Sequence, residues 1–247
     1  MLALGPAIAA FAAGNRVWLK PSERSSRTSG FLATLIQEYF HFTEFSVTTG
    51  DANTAADFAA LPFDHLFFSG STAVGKKVMR AAADNLVPVT LELGGKSPAL
   101  VDASANLRDA ASSIVYGKLL NSGQTCIAPD NVLVGEQQHD ALLAELMKAA
   151  QHQFSKPEML TGPVDPERTA RWHFLVEDAI AHGATATLLL KPSTESGRVF
   201  EPVALSNVSP ESAVMQEEIF GPILPIITVS DGAASTTAMI DFINKGS

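Results

Sequence analysis

Over the first ninety or so residues, short apolar runs alternate with helix-like stretches, and that alternation restricts the fold more than any other feature of the chain. The runs lie at 17–19 (VWL), 45–48 (FSVT), 65–68 (HLFF) and 87–91 (VPVTL). Between them, helix-like patterns cover 28–39, 54–61 and 73–86. Strand, helix and strand in this order predict a parallel sheet with crossover helices, the α/β class. The runs are short and continuously apolar, as expected where both faces of a sheet are covered. The opening stretch, MLALGPAIAAFAA, lacks the basic n-region of a signal peptide and is too short to span a bilayer. It reads as a buried helix closed by Gly14.

After Glu92 the pattern changes. LELGGKSPALVD carries two consecutive glycines and then a strand, and helix-like stretches follow at 107–120 and 140–153. A charged, proline-containing connection, KPEMLTGPVDPERTAR, precedes a helix around 172–182. The last third reads as strands and turns, through EEIFGPILPIITVSD to the start of a terminal helix. A domain change is expected near Gly94-Gly95, giving domains 1–94 and 95–247.

Hydrophobic residues make up 46% of the chain and charged residues 17%, which excludes wholesale disorder. The net charge of −9, with no basic run longer than Lys76-Lys77, argues against a nucleic-acid partner, which needs clustered cations to release counterions. No other segment approaches the twenty or so apolar residues of a membrane span. The absence of targeting signals and of paired cysteines points to a cytoplasmic protein.

Four stretches could carry chemistry. FFSGSTAVGKK holds Gly70, Gly75 and Lys76 at phosphate-loop spacing, but Lys77 stands where that pattern needs a hydroxyl for magnesium. A weaker reading survives, in which Gly70 and Ser71 open a helix whose unpaired N–H groups attract phosphate. An ordinary Ser/Thr N-cap explains the same residues. In WLKPSE, Lys20 and Glu23 fall just past a strand, where parallel sheets present ligand-binding groups. A surface turn at Pro21-Ser22 is the plain alternative. Glu92 follows the apolar run 87–91, so burial would raise its pKa toward that of a base working near neutral pH, and a structural salt bridge competes with that role.

The fourth stretch is NSGQTCIAPD, residues 121–130, which contains the lone cysteine, Cys126. A single Cys is a small hydrophobe, a metal ligand or a nucleophile. The nearest histidine in sequence is His139, and the six histidines form no ligand spacing, so no metal site is expected. Local sequence favours a core cysteine over a nucleophile, and nothing in the flanking residues overturns that reading.

Taken together and in order, LALGPAIAAFAAGNRVWLKPSE, FFSGSTAVG, LELGGKSP, NSGQTC and EEIFGP resemble the aldehyde dehydrogenase superfamily over nearly the whole chain. GQTCIAPD and VMQEEIFGPILPI are most similar to its class 3 and coniferyl aldehyde branch. The resemblance implies part of a Rossmann-like cofactor domain followed by an α/β catalytic domain. It also implies oxidation of an aldehyde, aromatic or long-chain in this branch, to its acid. Cys126 would add to the carbonyl, hydride would leave to the nicotinamide, and Glu92 would activate the water that releases the acid. Lys20 and Glu23 would hold the adenosine ribose and Ser71, between Gly70 and Gly75, the pyrophosphate. Glu218 would bind the nicotinamide ribose and Phe220 would pack beside the nicotinamide.

Glu92 implies hydrolysis rather than transfer to coenzyme A. Glu23 favours NAD, since a carboxylate repels a 2′-phosphate, with NADP possible in this branch. Compared with the family, the sequence begins after the Asn that completes the oxyanion hole and ends before the C-terminal strands and oligomerisation arm. The resemblance therefore implies an internal fragment of a homo-oligomeric parent, with weak or no turnover alone. Competing readings are a cofactor-independent thiol esterase and a non-catalytic nucleotide-binding derivative.

Overall fold

The computed structural model describes residues 2–156, 159–190, 199–231 and 235–245. The chain divides into two compact units, Met1–Gly94 and Gly95–Ser247. Among the described residues no helix is long and apolar enough to cross a membrane.

The first unit runs α1 (Leu4–Ala12), β1 (Val17–Leu19), α2 (Ser26–Tyr39), β2 (Phe45–Val47), α3 (Ala52–Ala59), β3 (Leu66–Gly70), α4 (Thr72–Ala83) and β4 (Val89–Leu93). Its strands form two parallel pairs, β1 with β2 and β3 with β4. Local chemistry sets the boundaries. Gly14, at φ +81°, closes α1, a conformation glycine adopts without steric cost. Asp51 starts α3 by accepting from the N–H groups of Asn53 and Thr54, both at 3.0 Å. Ser22 joins the turn after β1 to α2, its carbonyl accepting from Ser29 Oγ.

Two expectations are corrected in this unit. The first helix forms, but only Ala7 within it is buried, and Ile8 is exposed. The strand expected at 87–91 lies at 89–93. Leu86 adopts φ +56°, Val87 N–H turns back to Ala82 O, and Pro88 has no N–H to give a ladder. Pairing therefore begins at Leu66 with Val89, and Glu92 falls inside the strand.

The second unit runs β5 (Pro98–Val101), α5 (Leu107–Leu119), β6 (Asn131–Gly135), α6 (His139–Gln153), α7 (Pro166–Ala181), β7 (Thr185–Leu188), β8 (Val203–Ser206), α8 (Ala213–Gln216), β9 (Ile223–Val229) and α9 (Ser235–Lys245). Five strands form one sheet in the order β5-β6-β9-β8-β7, parallel except for β7 against β8. Every residue of β6 is buried, and its centre, Val132-Leu133-Val134, is continuously apolar. Val132 and Val134 pack with Leu119, Leu142 and Leu146 of the flanking helices. Each such side chain, fully removed from water, contributes about 1.5–3 kcal/mol. A second cluster gathers Trp172, Leu175, Leu205, Ile219 and Ile223.

Helix α7 starts at Pro166, inside the stretch expected to be a connection. Asp165 caps it by accepting from Arg168 N–H at 2.9 Å, and Pro166 occupies the first turn, where a missing N–H costs nothing.

Candidate active site

In the first unit, candidate residues gather at the carboxyl ends of parallel strands. Lys20 follows β1 and its ammonium lies 3.2 Å from Glu23 Oε2; the lysine side chain is largely buried and the glutamate half exposed. Glu23's own backbone N–H, and after it Lys20, hold the Glu23 carboxyl below its ordinary value. The turn read as the plain alternative is therefore also a preformed ion pair. Ser71 follows β3 and caps α4, its Oγ accepting from Val74 N–H at 3.4 Å. Gly70 and Gly75 serve close packing. A Cβ at Gly70 would stand 2.6 Å from the Phe68 ring, and one at Gly75 would stand 2.7 Å from Leu93 Cδ2, the contact that seats α4 on β4.

Glu92 lies opposite Ser69 in the β3–β4 register, beside the strand end that leads into Ser71. It is exposed, so the expected burial of its carboxylate is not found within this chain. As the penultimate residue of β4, it still lies close to the carboxyl end of a parallel strand, the end beside which open α/β sheets bind ligands.

In the second unit, Cys126 is an exposed free thiol, which corrects the core reading that the local sequence favours. Its loop begins with three consecutive left-handed residues, Asn121 (φ +52°), Ser122 (φ +51°) and Gly123 (φ +72°). Only the last is glycine, so the first two hold a strained conformation that their surroundings must enforce. Ser122 Oγ donates to Thr161 O. Gln124 ties the loop to a second segment: its Nε2 donates to Gly162 O at 3.1 Å and its Oε1 accepts from Val164 N–H at 3.0 Å.

The same loop rests on the segment 217–221. A Cβ at Gly123 would stand 2.3 Å from Gly221 O, and one at Gly221 would stand 2.1 Å from Trp172 Nε1. Gly123 thus lets the Cys126 loop meet the loop of Glu218 and Phe220 backbone to backbone, and Gly221 makes room for the Trp172 indole. Desolvation raises the pKa of half-buried Glu218, opposed by a hydrogen bond from Gly95 N–H. Phe220 adopts φ +47° and carries the Arg168 guanidinium 5.6 Å from its ring centroid.

Sequence reasoning missed the residues that grip this second loop. Arg171 donates to Glu218 O at 2.7 Å and Ile219 O at 3.0 Å, and Trp172 Nε1 donates to Phe220 O at 3.2 Å. Buried Asp130 accepts from Ile219 N–H at 2.9 Å and pairs with Lys96. The Asp165-Pro166 cap signal could have located α7 and its arginines. Nothing in the order of residues announces Asp130.

The donor set fits a dinucleotide. Within the first unit, Lys20 and Glu23 offer a cation and an acceptor for ribose hydroxyls, and the α4 N-terminus suits phosphate.

These features describe an α/β chain with ligand-type groups at parallel strand ends in one unit and an accessible thiol beside a half-buried carboxylate loop in the other. The family model "Aldehyde dehydrogenase family" matches residues 1–245, and the chain belongs to that family. The coniferyl aldehyde dehydrogenase of Pseudomonas sp. (strain HR199 / DSM 7063) is 45% identical over 99% of this chain and 52% of its own length. The dimeric NADP-preferring aldehyde dehydrogenase of Rattus norvegicus is 39% identical over 99% of this chain and 52% of its own. Among solved structures, a substrate-bound AldH of Staphylococcus aureus superposes with a TM-score of 0.89 at 38% identity, covering 98% of this chain and 52% of that one. The chain spans about half the length of the curated relatives it matches.

Proposed function

We propose that the protein oxidises an aldehyde to its carboxylic acid, with Cys126 as nucleophile and Glu92 as general base. The observation that carries this reading is the seating of the lone, exposed cysteine on a strained loop against the segment bearing Glu218 and Phe220. A merely structural cysteine needs neither exposure nor three consecutive left-handed residues. Lys20, Glu23, Ser71, Gly70 and Gly75 of the first unit, and Glu218 and Phe220 of the second, are the residues we assign to NAD(P). Bound NAD(P) supplies the hydride acceptor.

Cys126 adds as thiolate to the aldehyde carbon, and after oxidation its sulfur carries the acyl group as a thioester. Glu92 takes a proton from the water that attacks this thioester, and the acid leaves as the thiol is restored. Glu23 favours NAD over NADP through repulsion of a 2′-phosphate, although the rat relative is NADP-preferring. The likeness to a coniferyl aldehyde dehydrogenase makes an aromatic aldehyde the substrate class to test first. The dimeric rat relative supports a homo-oligomer, and a chemistry that needs a reduced thiol suits a cytoplasmic setting.

The test is aldehyde-dependent NADH formation with coniferyl aldehyde. Cys126→Ala should abolish it while leaving NAD binding intact. Wild-type rates in that variant would end the assignment.

A further inference from the structure

The residue between Glu218 and Phe220 is held at every polar point. Ile219 N–H donates to Asp130 Oδ1 at 2.9 Å, its carbonyl accepts from Arg171 at 3.0 Å, and its side chain is fully buried. Its neighbours are held as well: Glu218 O by Arg171, Phe220 O by Trp172, Glu217 O by Lys96 at 3.1 Å. Asp130 is the centre of this arrangement. It lies four residues past Cys126, is 2% exposed, and its second oxygen pairs with Lys96, which also donates to Val214 O at 2.8 Å. Its backbone N–H donates to Ser97 O at 2.8 Å. The charged groups that act around it are Lys96, the buried Lys118 of α5 and Glu218.

We propose that Asp130 is a positioning residue that fixes the Glu218–Phe220 segment relative to the nucleophile loop, so that its carboxylate sets cofactor affinity without touching cofactor or substrate. The side chains of residues 218 and 220 leave the backbone on either side of residue 219. Pinning that one amide therefore sets the direction of both. The pin originates in the same short segment as Cys126, which makes it a link between the two loops rather than a local cap. Its charge matters as well as its oxygen. Lys96 is held by Asp130 and two carbonyls, and an amide in place of the carboxylate would leave that ammonium without its counter-charge.

This inference rests on the cofactor role proposed above for Glu218 and Phe220. Its test compares wild type with Asp130→Asn, which keeps an acceptor for Ile219 N–H but drops the charge, and with Asp130→Ala, which removes both. Three readouts are taken: the Kd for NAD+ by calorimetry, hydrogen exchange in the peptide covering 217–221, and the alkylation rate of Cys126 with iodoacetamide. Expected for Asp130→Asn is a Kd raised about tenfold, as for a lost charged hydrogen bond. Exchange should be faster at 217–221, and alkylation should change by no more than about twofold, a shift equivalent to about 0.4 kcal/mol. Asp130→Ala should weaken NAD+ binding further; should it fail to fold, Asp130→Asn decides alone. Unchanged NAD+ affinity in a folded Asp130→Asn overturns the inference, as does exchange accelerated equally throughout the chain together with altered thiol reactivity. A wild type that does not bind NAD+ removes the functional reading and the inference with it, and the wild-type titration tells that failure from the others.

Discussion

At the scale of single residues, the second unit is organised around groups that resist substitution for different reasons. Gly123 combines φ +72° with a backbone neighbour at 2.3 Å from where a Cβ would stand. Gly123→Ala should lose about 1–3 kcal/mol to the left-handed conformation alone, and more to the clash with Gly221 O, which urea unfolding would measure. Lys118 presents the opposite case, a charge held where water is excluded. Burial pushes its pKa down from 10.5 to about 8, helped by Lys96 and opposed by Asp130 and Glu218. Below pH 8 the lysine is protonated in both folded and unfolded chains, and the penalty for burying the ammonium is fully felt. Between about 8 and 10.5 the folded side chain is neutral while the unfolded one still binds a proton, so stability rises with pH. Wild type should therefore gain on the order of 2 kcal/mol relative to Lys118→Met between pH 7 and pH 10, read from paired denaturation curves. A flat difference would contradict the burial argument.

At the scale of elements, caps and turns decide where helices and strands begin. Ser71 closes the N-terminus of α4, and Ser71→Ala should cost roughly 0.5–2 kcal/mol in thermal or urea unfolding, whatever its role toward phosphate. Much of this level was legible in the sequence. The runs at 17–19 and 45–48 sit almost where β1 and β2 form, because continuous apolar patterns mark covered strands. The shift of β4 was not, since it depends on the left-handed turn at Leu86 rather than on the apolar run. The start of α7 was legible in principle, from Asp165 followed by proline, but was obscured by the polar composition of its first turns. In the site, Cys126 and Glu218 stood out by motif. Asp130 and Arg171 did not, because the backbone atoms they hold lie some fifty to ninety residues away, a pairing only the fold creates.

At the scale of the whole molecule, the two units differ in how much they bury. The second has a five-stranded sheet with β6 buried along its entire length, and its two apolar clusters are larger than the two of the first unit. The described part of the first has two-stranded sheets and leaves Phe31, Tyr39, Phe42 and Leu86 exposed. Local opening follows the amount of apolar surface buried, so β6 and β9 should exchange amide hydrogens slowest, and β1 and β2 faster by orders of magnitude. Equal protection in the two units would contradict this ranking. The residues proposed for the chemistry are divided in the same way: Cys126, Glu218 and Phe220 belong to the second unit, and Glu92 with Lys20, Glu23 and Ser71 to the first.

The central claim is that Cys126 becomes acylated during turnover and that Glu92 is needed to release the acyl group. Intact-mass and peptide analysis of Glu92→Gln, quenched after mixing with coniferyl aldehyde and NAD+, tests both halves at once. Expected is a stoichiometric acyl adduct confined to Cys126, formed with a burst of NADH and little steady-state turnover. A variant that turns over as wild type, or that carries its adduct on any other residue, would contradict it.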